Sequence, residues 1–340
     1  MEMIPPPLRF EVNDPTAAGE IRRAAATLAG RIGFNEVDTG KLALLATELA
    51  QNISVHAKSG EVLLRALDAS AIELLAIDRG PGMRDVAECM RDGFSTAGTQ
   101  GIGLGALART STSFDIYTQP GHGTVIRSEL RSSTVAAPSN AQRPPVQVGV
   151  VSVAMPGQDV CGDGWQTQWL NGRWRVLVAD GLGHGLFAEE AAREAIRIFE
   201  RNADQPIVEV MHRLHGALRK TRGAAAALLD FNPSQGDVGF AGVGNISAML
   251  LSAGTGRSMV SHNGTLGVQM RRVQEFVYPW PPNALLVMHS DGLATHWKLD
   301  PYPGLLQRHP AVIAGVLYRD FKRSRDDVTV LCARRAVAEN

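Results

Sequence analysis

The run Ile72-Glu-Leu-Leu-Ala-Ile-Asp-Arg-Gly-Pro-Gly82 decides how the first half of this 340-residue chain is read. The mostly apolar residues Ile72–Ile77 predict a strand, and the pattern stops at Asp78 against a Gly-Pro-Gly turn composition. A carboxylate is thereby placed at a strand end beside a tight turn. Working back, Val62–Leu67 predicts a neighbouring strand. A helix is expected over about Asp38–His56, with Leu42, Leu45, Leu49 and Ile53 at helical spacing. Glu48 and Asn52 are four apart on it and share a face. An alanine-rich helix over Pro15–Ile32 and a short strand, Leu8–Val12, come before. Working forward, Gly101-Ile-Gly-Leu-Gly105 runs into a helix starting near Ile102 and offers backbone N–H groups to an anion. Strands Phe114–Thr118 and Thr124–Leu130 close the segment. The expectation is an α+β sandwich over residues 8–131, one mixed sheet with helices on one face.

From Arg131 to Pro145 the chain reads RSSTVAAPSNAQRPP, with no hydrophobic period and no aromatic residue. That is linker composition, and 132–145 is taken as the connection to a second domain at 146–337. Strands are expected there at Val148–Ala154, Arg173–Ala179, Ala224–Asp230, Val238–Gly242, Ala248–Leu251, Val273–Tyr278, Leu285–His289 and Val328–Cys332. Helices are expected at Ala188–Arg201 and Ile207–Lys220. Paired sheets with helices outside suit that inventory. Acidic residues stand at the strand ends: Asp163 in Cys161-Gly-Asp-Gly, Asp180 in Asp-Gly-Leu-Gly-His-Gly185, Asp291 in Ser290-Asp-Gly-Leu, and Asp326-Asp327 before the last strand. Carboxylates so placed are costly unless a cation pairs them, and an all-oxygen set suits Mg²⁺ or Mn²⁺. His212 and His215 share a helix but more simply form a solvated face.

The 34 Lys and Arg balance 34 Asp and Glu, which argues against a binder held by neutralising phosphates. Three cysteines without a CxxC spacing exclude a disulfide framework or thiolate zinc site. The N-terminus lacks a signal-peptide pattern and no apolar run is long enough to span a bilayer, so a soluble cytoplasmic protein is expected. No GxxxxGK[ST] occurs, which removes a Walker-type cradle.

Together, Glu48-Leu-Ala-Gln-Asn52, Asp78-Arg-Gly-Pro-Gly82, Gly101-Ile-Gly-Leu-Gly105 and Gly123-Thr124 resemble the N, G1 and G2 boxes of the Bergerat-fold (GHKL) ATPases. Small size and the tripeptide Phe94-Ser95-Thr96 point within them to the anti-sigma-factor serine kinases of the RsbT type. The resemblance implies ATP and Mg²⁺, with Asn52 on the metal and Asp78 on the adenine amino group near Thr124. Gly80 and Gly82 would shape the G1 turn, Gly101, Gly103 and Gly105 would approach the phosphates, and Glu48 would be the general base. No phosphoacceptor histidine precedes the domain, and His56 reads as a surface or cap residue.

The motifs CGDG, ADGLGHG, HSDGL and DDVTV look like the PPM-type serine/threonine phosphatases of the SpoIIE/RsbX-like branch, an αββα sandwich. Secondary matches are Gly242-Val-Gly-Asn245 and Asn263-Gly-Thr-Leu-Gly267. The resemblance implies two Mn²⁺ or Mg²⁺ ions that activate water for in-line attack on phosphorus. Asp180 would bridge them with help from the Gly181 carbonyl, Asp291 and Asp326 would hold the second, and Asp163 would support the first. Whether Asp326 or Asp327 is the ligand stays open, with motif register favouring Asp326. No phosphate-binding arginine stands out. The implied whole is a bifunctional kinase and phosphatase acting on a STAS-domain anti-sigma antagonist or stressosome scaffold protein. No nucleic acid or membrane is involved, and a homodimer is allowed. The competing readings are a phosphatase carrying an ATP-binding module that transfers no phosphate, and an ATP-driven chaperone- or topoisomerase-like ATPase.

Overall fold

The structure is a computed structural model and describes residues 7–91, 103–136, 144–252 and 255–336. It divides into two units, residues 1–138 with 302–319, and residues 139–301 with 320–340. In unit 1, strand β1 (Leu8–Val12) leads into helices α1 (Ala17–Arg31) and α2 (Glu36–Asn52). Asn35 caps α2 by accepting from the Asp38 backbone N–H. A π-helical turn, Ile53–Ala57, carries α2 into β2 (Gly60–Asp68) and β3 (Ala71–Asp78). Short helices α3 (Val86–Cys89) and α4 (Leu104–Thr110) precede β4 (Ser113–Gln119) and β5 (Gly123–Arg131). The sheet order is β1-β2-β3-β5-β4 and every neighbouring pair is antiparallel. The expected mixed sheet is therefore corrected. Two helices between β1 and β2 return the chain so that β2 runs against β1, hairpins join β2 to β3 and β4 to β5, and a crossover through α3 and α4 sets β5 against β3.

Alternation along β3 explains both faces of this sheet. Leu74 and Ala76 join Leu42, Leu45 and Leu49 of α2 and Ile21, Ala25 and Leu28 of α1 in one apolar core. Glu73, Leu75 and Ile77 point the other way and are also buried. Within unit 1 that second face meets residues 302–319. The Cα of Gly315 approaches Val125 and Leu75, and the Tyr318 hydroxyl donates to Glu61 Oε2 at 2.9 Å. Helices on one face only was the expectation, and a segment so distant in sequence could not be placed there by period alone.

The second face also holds a charged ladder. Glu73 accepts from Arg65 Nε at 2.7 Å and from Arg127 Nε at 2.6 Å, all three residues being buried. Burial alone pushes the Glu73 carboxyl up, yet Arg65 and Arg127 hold it down at about 2 against an ordinary 4.5. A depressed folded-state pKa gives stability that is present above about 4.5 and lost as the pH falls toward 2. Glu73→Gln leaves two buried guanidinium groups without this counter-charge. It should cost about 3–5 kcal/mol in urea unfolding at neutral pH, with a flatter acid limb between those two pH values.

Unit 2 is a β-sandwich. Its strands are β6 (Val146–Val153), β7 (Asp163–Leu170), β8 (Arg173–Gly181), β9 (Ala224–Asn232), β10 (Asp237–Val243), β11 (Ser247–Ser252) and β12 (Thr255–Ser258). The short pieces β13 (Ser261–His262), β14 (Gly264–Thr265), β15 (Gln269–Met270) and β16 (Phe276–Pro279) follow, then β17 (Leu285–His289) and β18 (Val328–Arg335). One sheet runs β13-β10-β9-β8-β7 with β16 beside β10, and the other runs β12-β11-β17-β18-β6. Trp174, Val176 and Val178 of β8 face Leu286, Met288 and Leu331 of the second sheet. The alternate residues Leu177 and Ala179 face α5 (Leu186–Arg201) and α6 (Ile207–Leu218). Strand β7 and helix α7 (Pro310–Phe321) are additions to the elements expected from sequence. No helix among the described residues is long and apolar enough to cross a membrane.

Candidate functional site

In unit 1 the residues at the end of α2 and the end of β3 form the first site. Glu48 lies one turn before Asn52, the last residue of α2, and both are partly buried. Burial raises the Glu48 carboxyl above its ordinary value. Asp78 closes β3, and its Oδ1 accepts from the Gly80 N–H at 2.7 Å and the Thr124 N–H at 3.2 Å. Burial raises Asp78 despite those two donors. The two bonds fix the carboxylate plane, so its other oxygen can receive an amino group. Thr124 is buried and its hydroxyl lies 3.0 Å from that of Thr118.

The glycines shape the walls of this site. A side chain at Gly82, where φ is +68°, would overlap the Gln119 carbonyl. One at Gly80 would stand 2.7 Å from the Ala57 Cβ, so the G1 turn can close only without side chains. Gly103 is the N-cap of α4, and Gly105 packs against the Met90 carbonyl. Gly101 and the tripeptide Phe94-Ser95-Thr96 lie outside the described residues. His56 is exposed in the π-helical turn.

The second site lies at one end of the unit 2 strands. Asp163 opens β7 directly opposite Asp180 on β8. Asp291 follows β17, and Asp326 and Asp327 precede β18, which pairs with β17. Burial first, then neighbouring carboxylates, push Asp163 and Asp180 far up from the ordinary range. Asp326 is raised by burial and by Asp291, whose carboxyl is within hydrogen-bonding reach. Asp180 accepts no hydrogen bond from the described residues. Carboxylates that repel one another at one strand end suit hard divalent cations, which would remove the repulsion. Among the described residues no three acidic, histidine or cysteine side chains already close on one point.

The paired Asp326-Asp327 separate by their partners. Asp327 is buried and accepts from the Met155 N–H at 2.8 Å and the Gly162 N–H at 3.0 Å, which ties down the loop carrying Asp163. Asp326 instead faces Asp291. Asp327→Ala should therefore lower the melting temperature, because two buried N–H groups lose their acceptor at about 1–3 kcal/mol each. Asp326→Ala should leave the melting temperature of the metal-free protein near wild type and weaken Mn²⁺ binding. Thermal unfolding with and without Mn²⁺ separates the two.

Several supports of this site stand in the quoted motifs without a role assigned to them from sequence. Ser290 donates to Asp163 Oδ2 at 2.6 Å and accepts from the Thr329 N–H at 3.0 Å, locking β7 to β17 and β18. Asn245 donates to Asp291 Oδ2 at 2.7 Å. His289 is buried with Nδ1 2.7 Å from the Ser290 carbonyl, and its Nε2 accepts from Trp297 Nε1 at 3.2 Å. Burial lowers its pKa, so the neutral ring serves as a strut. The signal was adjacency, since Ser290 precedes Asp291 and Thr329 follows the Asp pair by two positions. A side chain at Gly181 would overlap the Ala188 carbonyl, so α5 starts in direct backbone contact with the loop after Asp180.

A five-stranded antiparallel sheet with two helices on one face, and a β-sandwich with acidic strand ends, are the folds of a kinase-like ATPase domain and a PPM-type domain. The chain belongs to the histidine kinase-like ATPase domain family through residues 12–129, and residues 171–336 match the stage II sporulation protein E (SpoIIE) family. It is 32% identical over 109 residues to the serine/threonine-protein kinase RsbT of Bacillus subtilis (strain 168), covering 31% of this chain and 82% of that protein. It is 26% identical over 149 residues to the phosphoserine phosphatase RsbX of the same organism, covering 44% of this chain and 75% of that one. A solved chain from work on the bacterial stressosome, described as a modular system adapted to control secondary messenger signalling, aligns with TM-score 0.51 and 30% identity. That alignment covers 56% of this chain and 99% of the other.

Proposed function

We propose that this chain both phosphorylates serine from ATP and removes phosphate from phosphoserine or phosphothreonine on STAS-type proteins of a partner-switching pathway. The observation that carries this reading is the presence in one chain of a partly buried carboxylate, Glu48, one helical turn from Asn52, and a separate cluster of mutually repelling carboxylates. A pure ATP-binding module has no need of Glu48.

For the kinase half, Glu48 takes the proton of the incoming serine hydroxyl as its oxygen attacks the γ-phosphorus and the bond to ADP breaks. Asn52 holds Mg²⁺ on the phosphates, Asp78 orients the adenine with Thr124 at its side, and Gly101, Gly103 and Gly105 let backbone N–H groups approach phosphate oxygens. Gly80 and Gly82 keep the wall of the adenine pocket thin.

For the phosphatase half, Asp163, Asp180, Asp291, Asp326 and the Gly181 carbonyl would hold two Mn²⁺ or Mg²⁺ ions. Bound there, the ions supply a water nucleophile at neutral pH and neutralise the phosphoryl oxygens. Asn245 orients Asp291 and Ser290 orients Asp163. Domain limits of 8–131 and 146–337 about a connection at 132–145 remain part of the proposal, with residues 302–319 completing unit 1.

The test of the phosphatase half is release of inorganic phosphate from a phosphoserine peptide. Release should require added Mn²⁺ or Mg²⁺ and stop with EDTA. Equal release in EDTA would rule out the metal-dependent assignment.

A further inference from the structure

No arginine in the sequence announces itself as the group that receives the substrate phosphoryl in the phosphatase site. We infer that Arg222 is that group. The inference rests on the phosphatase reading above.

Arg222 stands in the turn between α6 and β9, and three hydrogen bonds fix that turn. The Thr221 hydroxyl donates to the Leu218 carbonyl at 2.8 Å and accepts from the Gly223 N–H at 3.0 Å. The Gly223 carbonyl accepts from the Leu182 N–H at 2.9 Å. This last bond ties the turn to the loop that follows Asp180. The strand register agrees: Gly181 pairs with Ala224 and Asp180 with Ala225, so Arg222 emerges at the same strand end as the acidic cluster.

The guanidinium is placed by its neighbours. It lies over the Phe187 ring, 4.7 Å from the centroid. It also passes so close to Gly183 that a Cβ there would stand 3.1 Å from Nη1. A glycine at 183 leaves the guanidinium room above the loop, and the Phe187 face holds it by cation–π attraction. Arg222 is exposed and makes no ion pair with the described residues.

A cation held at the strand end that carries the acidic cluster, yet in no ion pair among the described residues, suits an anion that arrives with its own metal-bound charge. The guanidinium fork offers two parallel N–H groups, which match two phosphoryl oxygens in a way a lysine point charge cannot. Leu182, Leu186 and Phe187 are exposed around it and supply a partly apolar rim that strengthens such a contact. In hydrolysis Arg222 moves no proton. It orients the phosphate monoester while water oxygen bonds to phosphorus, the serine oxygen leaves, and that oxygen is protonated.

The experiment compares wild type with Arg222→Ala and Arg222→Lys. It uses p-nitrophenyl phosphate and a phosphoserine protein as substrates, and inorganic phosphate both as a product inhibitor and as a ligand in calorimetry at saturating Mn²⁺. The expected result is roughly a tenfold or greater rise in KM for both substrates and in Ki and Kd for phosphate in the alanine variant, the loss typical of a charge-assisted hydrogen bond. The kcat should change less, the lysine variant should fall between, and Mn²⁺ affinity and melting temperature should stay at wild-type values. Unchanged KM, Ki and Kd for the small ligands would overturn the inference, even if the phosphoserine protein alone bound less well. That pattern would place Arg222 on another part of the protein substrate. A wild type that binds phosphate but hydrolyses nothing would overturn the phosphatase reading, and Arg222's part in it, while a wild type active on both substrates isolates the arginine.

Discussion

Asp180→Asn is expected to abolish Mn²⁺-dependent hydrolysis of p-nitrophenyl phosphate, a loss on the order of a thousandfold or more, because in the proposed site this one carboxylate would serve both ions. The fold should not suffer. Asp180 ends β8 in a buried position opposite Asp163 and receives no hydrogen bond from the described residues. Burial and the carboxylates of Asp163, Asp291, Asp326 and Asp327 push its proton affinity up, so the metal-free protein already favours a neutral side chain there. Asparagine supplies that neutrality with nearly the same shape. The metal-free variant should therefore melt at or above the wild-type temperature and lose the stabilisation that Mn²⁺ gives the wild type. Asp291→Asn should weaken mainly one ion, and raised Mn²⁺ should restore part of its rate. ATP binding should be unchanged in both, since that pocket is built in the other unit. Unaltered hydrolysis with equal metal stoichiometry in Asp180→Asn would remove the two-ion assignment.

The second large effect is expected at Glu48. Glu48→Gln should keep Mg-ATP affinity within a few-fold and lower phosphate transfer by roughly 100- to 10,000-fold, the contribution of a positioned general base. The base works only when ionised. Burial raises Glu48 above its ordinary 4.5, so wild-type transfer should climb as the pH rises through the raised value and level off above it. The glutamine variant should show no such limb. Asn52→Ala should instead lose Mg-ATP binding itself, because the phosphate charge is left without its metal. Filter binding of labelled ATP, set beside single-turnover transfer, reads both. Full transfer by Glu48→Gln would leave the pocket as a binding module only.

Both candidate sites stand out in the sequence because each sits where a strong apolar pattern stops at an acid. Ile72–Ile77 ends at Asp78, Arg173–Ala179 ends at Asp180, and Leu285–His289 is followed two residues on by Asp291. A buried strand has nowhere to hide a carboxylate in its middle, so the acid marks the strand end and the turn glycine follows. The parts that escaped lacked that contrast. Strand β7 reads Trp165-Gln-Thr-Gln-Trp169, and its exposure is intermediate over most of its length, so neither face is clearly apolar. Helix α7 fails in the opposite way. From Pro310 to Arg319 every residue is buried, and a helix apolar on all sides has no period against a polar face. Its place in unit 1 follows from packing against Leu75 and Val125, partners that no local pattern names. The supporting groups Ser290, Thr329 and Asn245 stood in the motifs HSDGL, DDVTV and GVGN without a role, because a hydroxyl or amide gains its role from the geometry that three strands create. Asp326 and Asp327 were equivalent by composition and became distinct only through the two N–H groups that Asp327 accepts.

The most direct measurement follows the mass of one STAS-domain protein incubated with the full chain. With Mg-ATP and the Asp180→Asn variant, a gain of one phosphate on serine should appear and persist. With the wild type, removing ATP and adding Mn²⁺ should return that phosphoprotein to its original mass, while Glu48→Gln should perform only the second step. If no phosphate is gained with ATP, or if the gained phosphate survives wild-type protein with Mn²⁺, the account of two opposed activities in one chain is contradicted.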